Sequence, residues 1–152
     1  YLKHHDFKEK TVEDIFTPDQ LANSLKLNVF ETASKFFINE NDYFTPKDLP
    51  LKAQLSPIYG ILIKDIDNDG FKDIIVGGNQ FKAKPKIGIY AGSYGTILRS
   101  LKGKEFEDVN ADESGLFVQG EIRDIKAMTV GNQEIILVAR NNDSLKFYKI
   151  NN

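Results

Sequence analysis

In residues 65–73, Asp65-Ile66-Asp67-Asn68-Asp69-Gly70-Phe71-Lys72-Asp73, carboxylates stand at every second position, a glycine follows, and a fourth carboxylate closes the run. A hard divalent cation such as calcium takes about six to eight oxygens at about 2.3–2.6 Å, and alternate residues of a tight turn can point at one centre. The spacing therefore predicts a calcium loop. Asp65, Asp67 and Asp69 would supply side-chain oxygens, Phe71 its backbone carbonyl, and Asp73 the closing carboxylate. Gly70 permits the sharp turn, while Ile66, Asn68 and Lys72 face away. The plain alternative is a solvated acidic turn, since Asx-rich turns are common. Four converging carboxylates, however, repel one another unless a cation offsets their charge. Calcium is the expected cofactor.

The flanks decide what kind of loop this is. An EF-hand needs a bidentate Glu at loop position twelve, which here is Val76. The runs Ile58-Tyr59-Gly60-Ile61-Leu62-Ile63 and Ile74-Ile75-Val76-Gly77-Gly78 are short, apolar and β-branched, so they read as strands rather than helices. The expected device is a metal-tied β-hairpin.

With these residues in view, the segment resembles the calcium loop of FG-GAP-like (VCBS-type) repeats, found in secreted bacterial proteins and, in related form, in integrin alpha-chain propellers. The likeness extends through Leu49–Pro57 before the loop, Gly77-Gly78-Asn79 after it, and later Phe106–Val109 and Glu113–Leu116. The literal Phe-Gly and Gly-Ala-Pro signatures are absent. The resemblance implies a repeat protein of β-propeller type that binds calcium.

The elements that must position the loop follow from the rest of the chain. At 152 residues, with 41% hydrophobic content, eleven Phe and six Tyr, there is enough apolar volume for one domain, and disorder is excluded. A net charge of −2 and only three arginines (Arg99, Arg123, Arg140) argue against a nucleic-acid partner, and no run reaches membrane-spanning length. The absence of cysteine excludes disulfides and thiol chemistry. A start at Tyr1 rather than Met suggests a piece of a longer precursor. An isolated acidic loop of moderate affinity fills where calcium is millimolar, so an extracellular, cell-surface or periplasmic location is expected.

Residues 1–26 read as a helical preface. Thr11 with Asp14, and Thr17-Pro18-Asp19-Gln20, each have the form of a helix start, with Ile15, Phe16, Leu21 and Leu25 as the apolar face. His4 and His5 are adjacent and make a poor metal pair. Leu27–Phe30, 35–39 and 43–45 read as strands, with Asn41-Asp42 as a turn. Lys64-Asp65-Ile66 then echoes as Arg123-Asp124-Ile125, and Asp73-Ile74-Ile75-Val76 as Glu134-Ile135-Ile136-Leu137, an offset of about sixty residues. In the second copy Lys126, Ala127 and Met128 stand against Asp67, Asn68 and Asp69 and cannot ligate calcium in the same way.

A unit of that length with about four strands suits one blade of a propeller, apolar on both faces. The expected fold is mainly β, with two to three blades of a partial propeller behind a short N-terminal helical segment. The single repeat domain 1–152 divides into the preface (1–26), a partial blade (27–55), a calcium-loop blade (56–117) and a degenerate final blade (118–152). Open blade edges make homo-association a possibility. No nucleophile elbow, phosphate-cradling glycine loop or zinc-type helix signature occurs. The aromatics Phe81, Tyr90, Tyr94 and Phe117 suit either core strands or a platform for sugar rings. The expected function is that of a non-enzymatic calcium-binding repeat module of an exported protein, binding a protein or carbohydrate ligand or serving as a scaffold. The alternative is part of a larger polysaccharide-acting propeller whose catalytic residues lie outside this chain.

Overall fold

The computed structural model describes residues 3–84 and 88–150, so residues 1–2 of the expected preface, 85–87 of the calcium-loop blade and 151–152 of the final blade lie outside it. Among the described residues the apolar runs form nine strands in three antiparallel sheets, none of which closes on itself. The first sheet pairs β1 (Lys35–Glu40) with β2 (Tyr43–Asp48) across the Asn41-Asp42 turn. The second is an up-and-down meander of β3 (Ile58–Lys64), β4 (Asp73–Gly78), β5 (Thr96–Leu101) and β6 (Glu105–Val109). The third comprises β7 (Ile122–Val130), β8 (Gln133–Arg140) and β9 (Lys146–Lys149). Three short helices, α1 (Val12–Ile15), α2 (Pro18–Ala22) and α3 (Ala111–Ser114), complete the α content. No helix among the described residues is long and apolar enough to cross a membrane.

The chain divides into two compact units, Tyr1–Thr32 and Ala33–Asn152. In the first, both helix starts use the residues that the sequence marks. The Asp14 carboxylate accepts from the Thr11 backbone N–H at 2.9 Å, and Gln20 Oε1 accepts from Thr17 N–H at 2.9 Å while Thr17 Oγ1 accepts from Gln20 N–H at 3.3 Å. Pro18 takes the first helical position, where its missing N–H costs nothing. The expected buried face is not formed: α1 and α2 contain no buried residue, and Phe16 and Leu25 are exposed. Helices of one turn are too short to present a continuous stripe. The strand expected at Leu27–Phe30 is also absent, and Phe30 is 92% exposed. Alternating apolar residues make a strand only where a neighbouring ladder takes up the backbone N–H and C=O groups.

In the second unit the meander is covered on both faces. Ile75 packs with Leu116, Val118, Ile122, Ile125, Ile136 and Val138 on one side. Val76 and Leu98 pack with Leu49 and Ala53 on the other, joined by Phe36 of β1 and Phe106 of β6. Hence β4 is enclosed along nearly its whole length, and its Ile-Ile-Val run shows no alternation. Each such fully buried aliphatic side chain contributes about 2 kcal/mol.

The contact between β7 and the meander depends on missing side chains. A Cβ on Gly77 would lie 2.4 Å from Ile122 Cδ1, and one on Gly60 would lie 2.9 Å from Ile125 Cγ1. The two glycines therefore let the isoleucines of β7 sit directly on the β3–β4 backbone. Both sheets also carry the same irregularity in their first hairpin: register shifts between Ile58 and Gly60, and between Ile122 and Asp124. The two extra residues meet, with the Arg123 guanidinium 4.6 Å from the centroid of the Tyr59 ring.

This register corrects the internal alignment. Ile58 pairs with Gly78 and Ile122 with Arg140, and Lys64 pairs with Asp73 as Met128 does with Ile135. Asp124 thus corresponds to Gly60 rather than to Asp65, and Lys126, Ala127 and Met128 lie in a strand rather than a loop. Where the acidic loop joins β3 to β4, the tight turn Gly131-Asn132 joins β7 to β8.

Candidate metal centre

The acidic loop joins β3 to β4, and its ends are fixed by the last pair of that hairpin, Lys64 with Asp73. Asp73 opens β4 and is 2% exposed. Its Oδ2 accepts from the Ile66 N–H at 3.0 Å and its Oδ1 from the Ser100 N–H of β5 at 2.9 Å. A carboxylate thus buried between two backbone donors is placed by the sheet itself. The other three aspartates shape the turn. Asp65 Oδ2 accepts from Gly70 N–H at 3.0 Å, Asp67 Oδ1 from Asp69 N–H at 3.2 Å, and Asp69 Oδ1 from Phe71 N–H at 2.7 Å. Two residues turn the chain with positive φ, Asn68 at 60° and Gly70 at 93°. Asn tolerates that conformation better than other side chains, which gives Asn68 a role beyond facing solvent.

Asp65, Asp67 and Asp73 bring carboxylate oxygens within 4.8 Å of one another, close enough to hold a metal ion. Among the described residues this is the group of acidic and histidine side chains that meets such a spacing. Asp69 is not drawn into it; its Oδ1 is engaged with the Phe71 amide. The Phe71 side chain is 38% exposed and borders Gly103 and the aromatic pocket containing Phe36 and Phe106. Two side-chain oxygens among the described residues are enclosed without a hydrogen-bond partner, Asp65 Oδ1 and Asp108 Oδ1. Only that of Asp65 belongs to a residue of the carboxylate cluster. A shielded anionic oxygen without a donor is costly, and a cation is the partner its chemistry suits.

One cation is already beside the cluster. Arg99 of β5 places Nε 3.5 Å from Asp67 Oδ2, while its other two nitrogens reach Glu113 at 2.7 Å and Glu107 at 3.5 Å. The Glu113 hydrogen bond, with smaller help from the charges of Glu107 and Asp67, makes the guanidinium hold its proton more tightly than usual. Sequence reading missed both Arg99 and Ser100. Their approach depends on the pairing of β4 with β5, and neither carries a local signal.

The other sequence candidates fall elsewhere. The side chain of His4 lies outside the described residues, and His5 Nδ1 lies 3.0 Å from Asp6 Oδ1. Tyr94 and Phe117 stack with centroids 4.6 Å apart and rings 12° from parallel, both about half exposed. Phe81 and Tyr90 are also exposed, so none of the four is a core residue. A buried polar knot lies near Phe81. Glu121 accepts from the Phe81 N–H at 2.8 Å, from Arg123 at 2.8 Å and from the Asn141 side chain at 2.7 Å. The Asn141 bond foremost, then the Phe81 amide and Arg123, holds its carboxyl below the usual range. Compared with protein-family models, with curated proteins and with solved structures, the chain matches none.

Proposed function

We propose that this chain is a non-enzymatic, calcium-stabilised repeat module of an exported protein, presenting loops to a protein or glycan partner or serving as a scaffold. The observation that carries the reading is the convergence of Asp65, Asp67 and Asp73, with one Asp65 oxygen enclosed and unpartnered. In this reading those three residues hold calcium, and Asp69 and the Phe71 carbonyl complete the shell. All-oxygen ligation from a pliant loop favours calcium over magnesium, which demands a stricter octahedron and gives up water reluctantly. The ion ties β3 to β4 and neutralises carboxylates that otherwise repel. A propeller-blade arrangement fits the four-stranded meander, its two apolar faces and the bulge shared by the first hairpins of the second and third sheets. Millimolar calcium outside the cell matches the affinity range of such a loop, which supports an exported location.

Titration calorimetry tests the reading directly. Calcium should bind with a stoichiometry of one and magnesium much more weakly. Absence of calcium heat, or equal affinity for the two ions, would reduce the loop to an acidic turn.

A further inference from the structure

Arg99 stands where it can compete with an ion. Its Nε lies 3.5 Å from Asp67 Oδ2, and Asp67 is the most exposed member of the carboxylate cluster. The remaining nitrogens of the guanidinium are held by Glu113 and Glu107, so the charge is anchored on β5 and its neighbours rather than on the loop. The hydrogen-bonded oxygens of Asp65 and Asp73 accept from backbone N–H groups instead.

We infer that Arg99 is the built-in counter-cation of the loop and sets its metal affinity, pairing with Asp67 when the ion is absent and opposing the ion when it is present. This rests on the calcium reading above. The physical reason is charge. A guanidinium beside Asp67 lowers the energy of the empty cluster and raises that of the filled one, so both effects weaken binding. Glu113 moderates the competition, because its 2.7 Å contact with another nitrogen of the guanidinium offsets part of the same charge. Removing one positive charge beside a divalent ion at a partly exposed site is worth about threefold to tenfold in affinity at physiological salt. The loop is thereby tuned to fill at higher calcium than its carboxylates alone would require.

Calcium calorimetry on the full chain and three variants separates the possibilities. Arg99→Gln should bind calcium about threefold to tenfold more tightly than the unaltered chain, and should melt lower in chelator because the empty cluster has lost its counter-cation. Lys72→Gln removes a charge from the exposed loop itself and serves as the control for a general field effect; its change should be clearly smaller. Glu113→Gln releases Arg99 towards Asp67 and should weaken binding, which also provides an answer if Arg99→Gln does not fold. An unchanged or weaker affinity in Arg99→Gln, or a shift no larger than that of Lys72→Gln, overturns the role of Arg99 while leaving calcium binding intact. An unaltered chain that takes up no calcium overturns both.

Discussion

Asp67 and Asp73 belong to one cluster but have different structural duties, and substitution should tell them apart. Asp73 is buried and accepts from two backbone N–H groups on separate segments, so Asp73→Asn should cost about 2 kcal/mol even in chelator. Asp67 is exposed, caps the Asp69 amide and faces Arg99 at 3.5 Å across a partly solvated contact, so Asp67→Asn should cost less than about 1 kcal/mol in chelator while abolishing the response to calcium. Urea unfolding with and without calcium measures both; an equal loss in chelator for the two variants would contradict this division. Glu121 supports a second prediction at this scale. Its carboxyl is held below the ordinary value of 4.5, so its contribution is complete above about pH 4.5 and is lost as pH falls through the lower folded value. Glu121→Gln should therefore flatten the acid limb of the stability profile below pH 4.5, seen as melting temperature against pH. An acid limb as steep as that of the unaltered chain would assign the acid sensitivity to other carboxylates.

At the scale of elements, the contact of β7 with the β3–β4 hairpin depends on two glycines. Gly77→Ala should destabilise the protein by about 1–3 kcal/mol, since the new methyl meets Ile122 Cδ1 at 2.4 Å. Ile122→Val removes that atom, so the double variant should lose less than the sum of the single losses; strict additivity in a double-mutant cycle would show that the sheets shift apart instead. The same elements show what the sequence could and could not convey. The strands at 58–64 and 73–78 were legible because a run such as Ile74-Ile75-Val76 declares a strand buried on two faces. The turn at Asn41-Asp42 was legible from residue type, and Asn41 does take positive φ. Leu27–Phe30 is also short and mostly apolar but has no ladder to join, and pairing is a property of the partner. The echo of Lys64-Asp65-Ile66 at 123–125 matched residue types, whereas the true register is set by bulges at Tyr59 and Arg123. Three of the four loop aspartates come together as spacing predicts, while Asp69 stands outside that group with its Oδ1 on the Phe71 amide.

For the whole molecule, the question is how far one ion tied into one hairpin can be felt. The hairpin β3–β4 contributes to both apolar clusters, with Leu62 and Ile75 in one and Ile58, Ile74 and Val76 in the other. Loosening it therefore disturbs all three sheets of Ala33–Asn152 at once, and that unit should melt as a single cooperative body. A ligand that binds only the folded form at a hundredfold excess over its dissociation constant adds about 2.7 kcal/mol. For a unit of this size that corresponds to a rise of about 10 °C in melting temperature. Tyr1–Thr32 is a separate compact unit whose two α-helices bury no residue, so its backbone amides have little protection to gain. Hydrogen exchange followed by mass spectrometry should accordingly show calcium slowing exchange across all three sheets, including β1–β2 and β7–β9, while peptides from the first 32 residues stay unchanged. If protection rises only in the peptide that carries residues 65–73, the ion is a local clasp on its own turn, and the three sheets draw their cooperativity from the two cores alone.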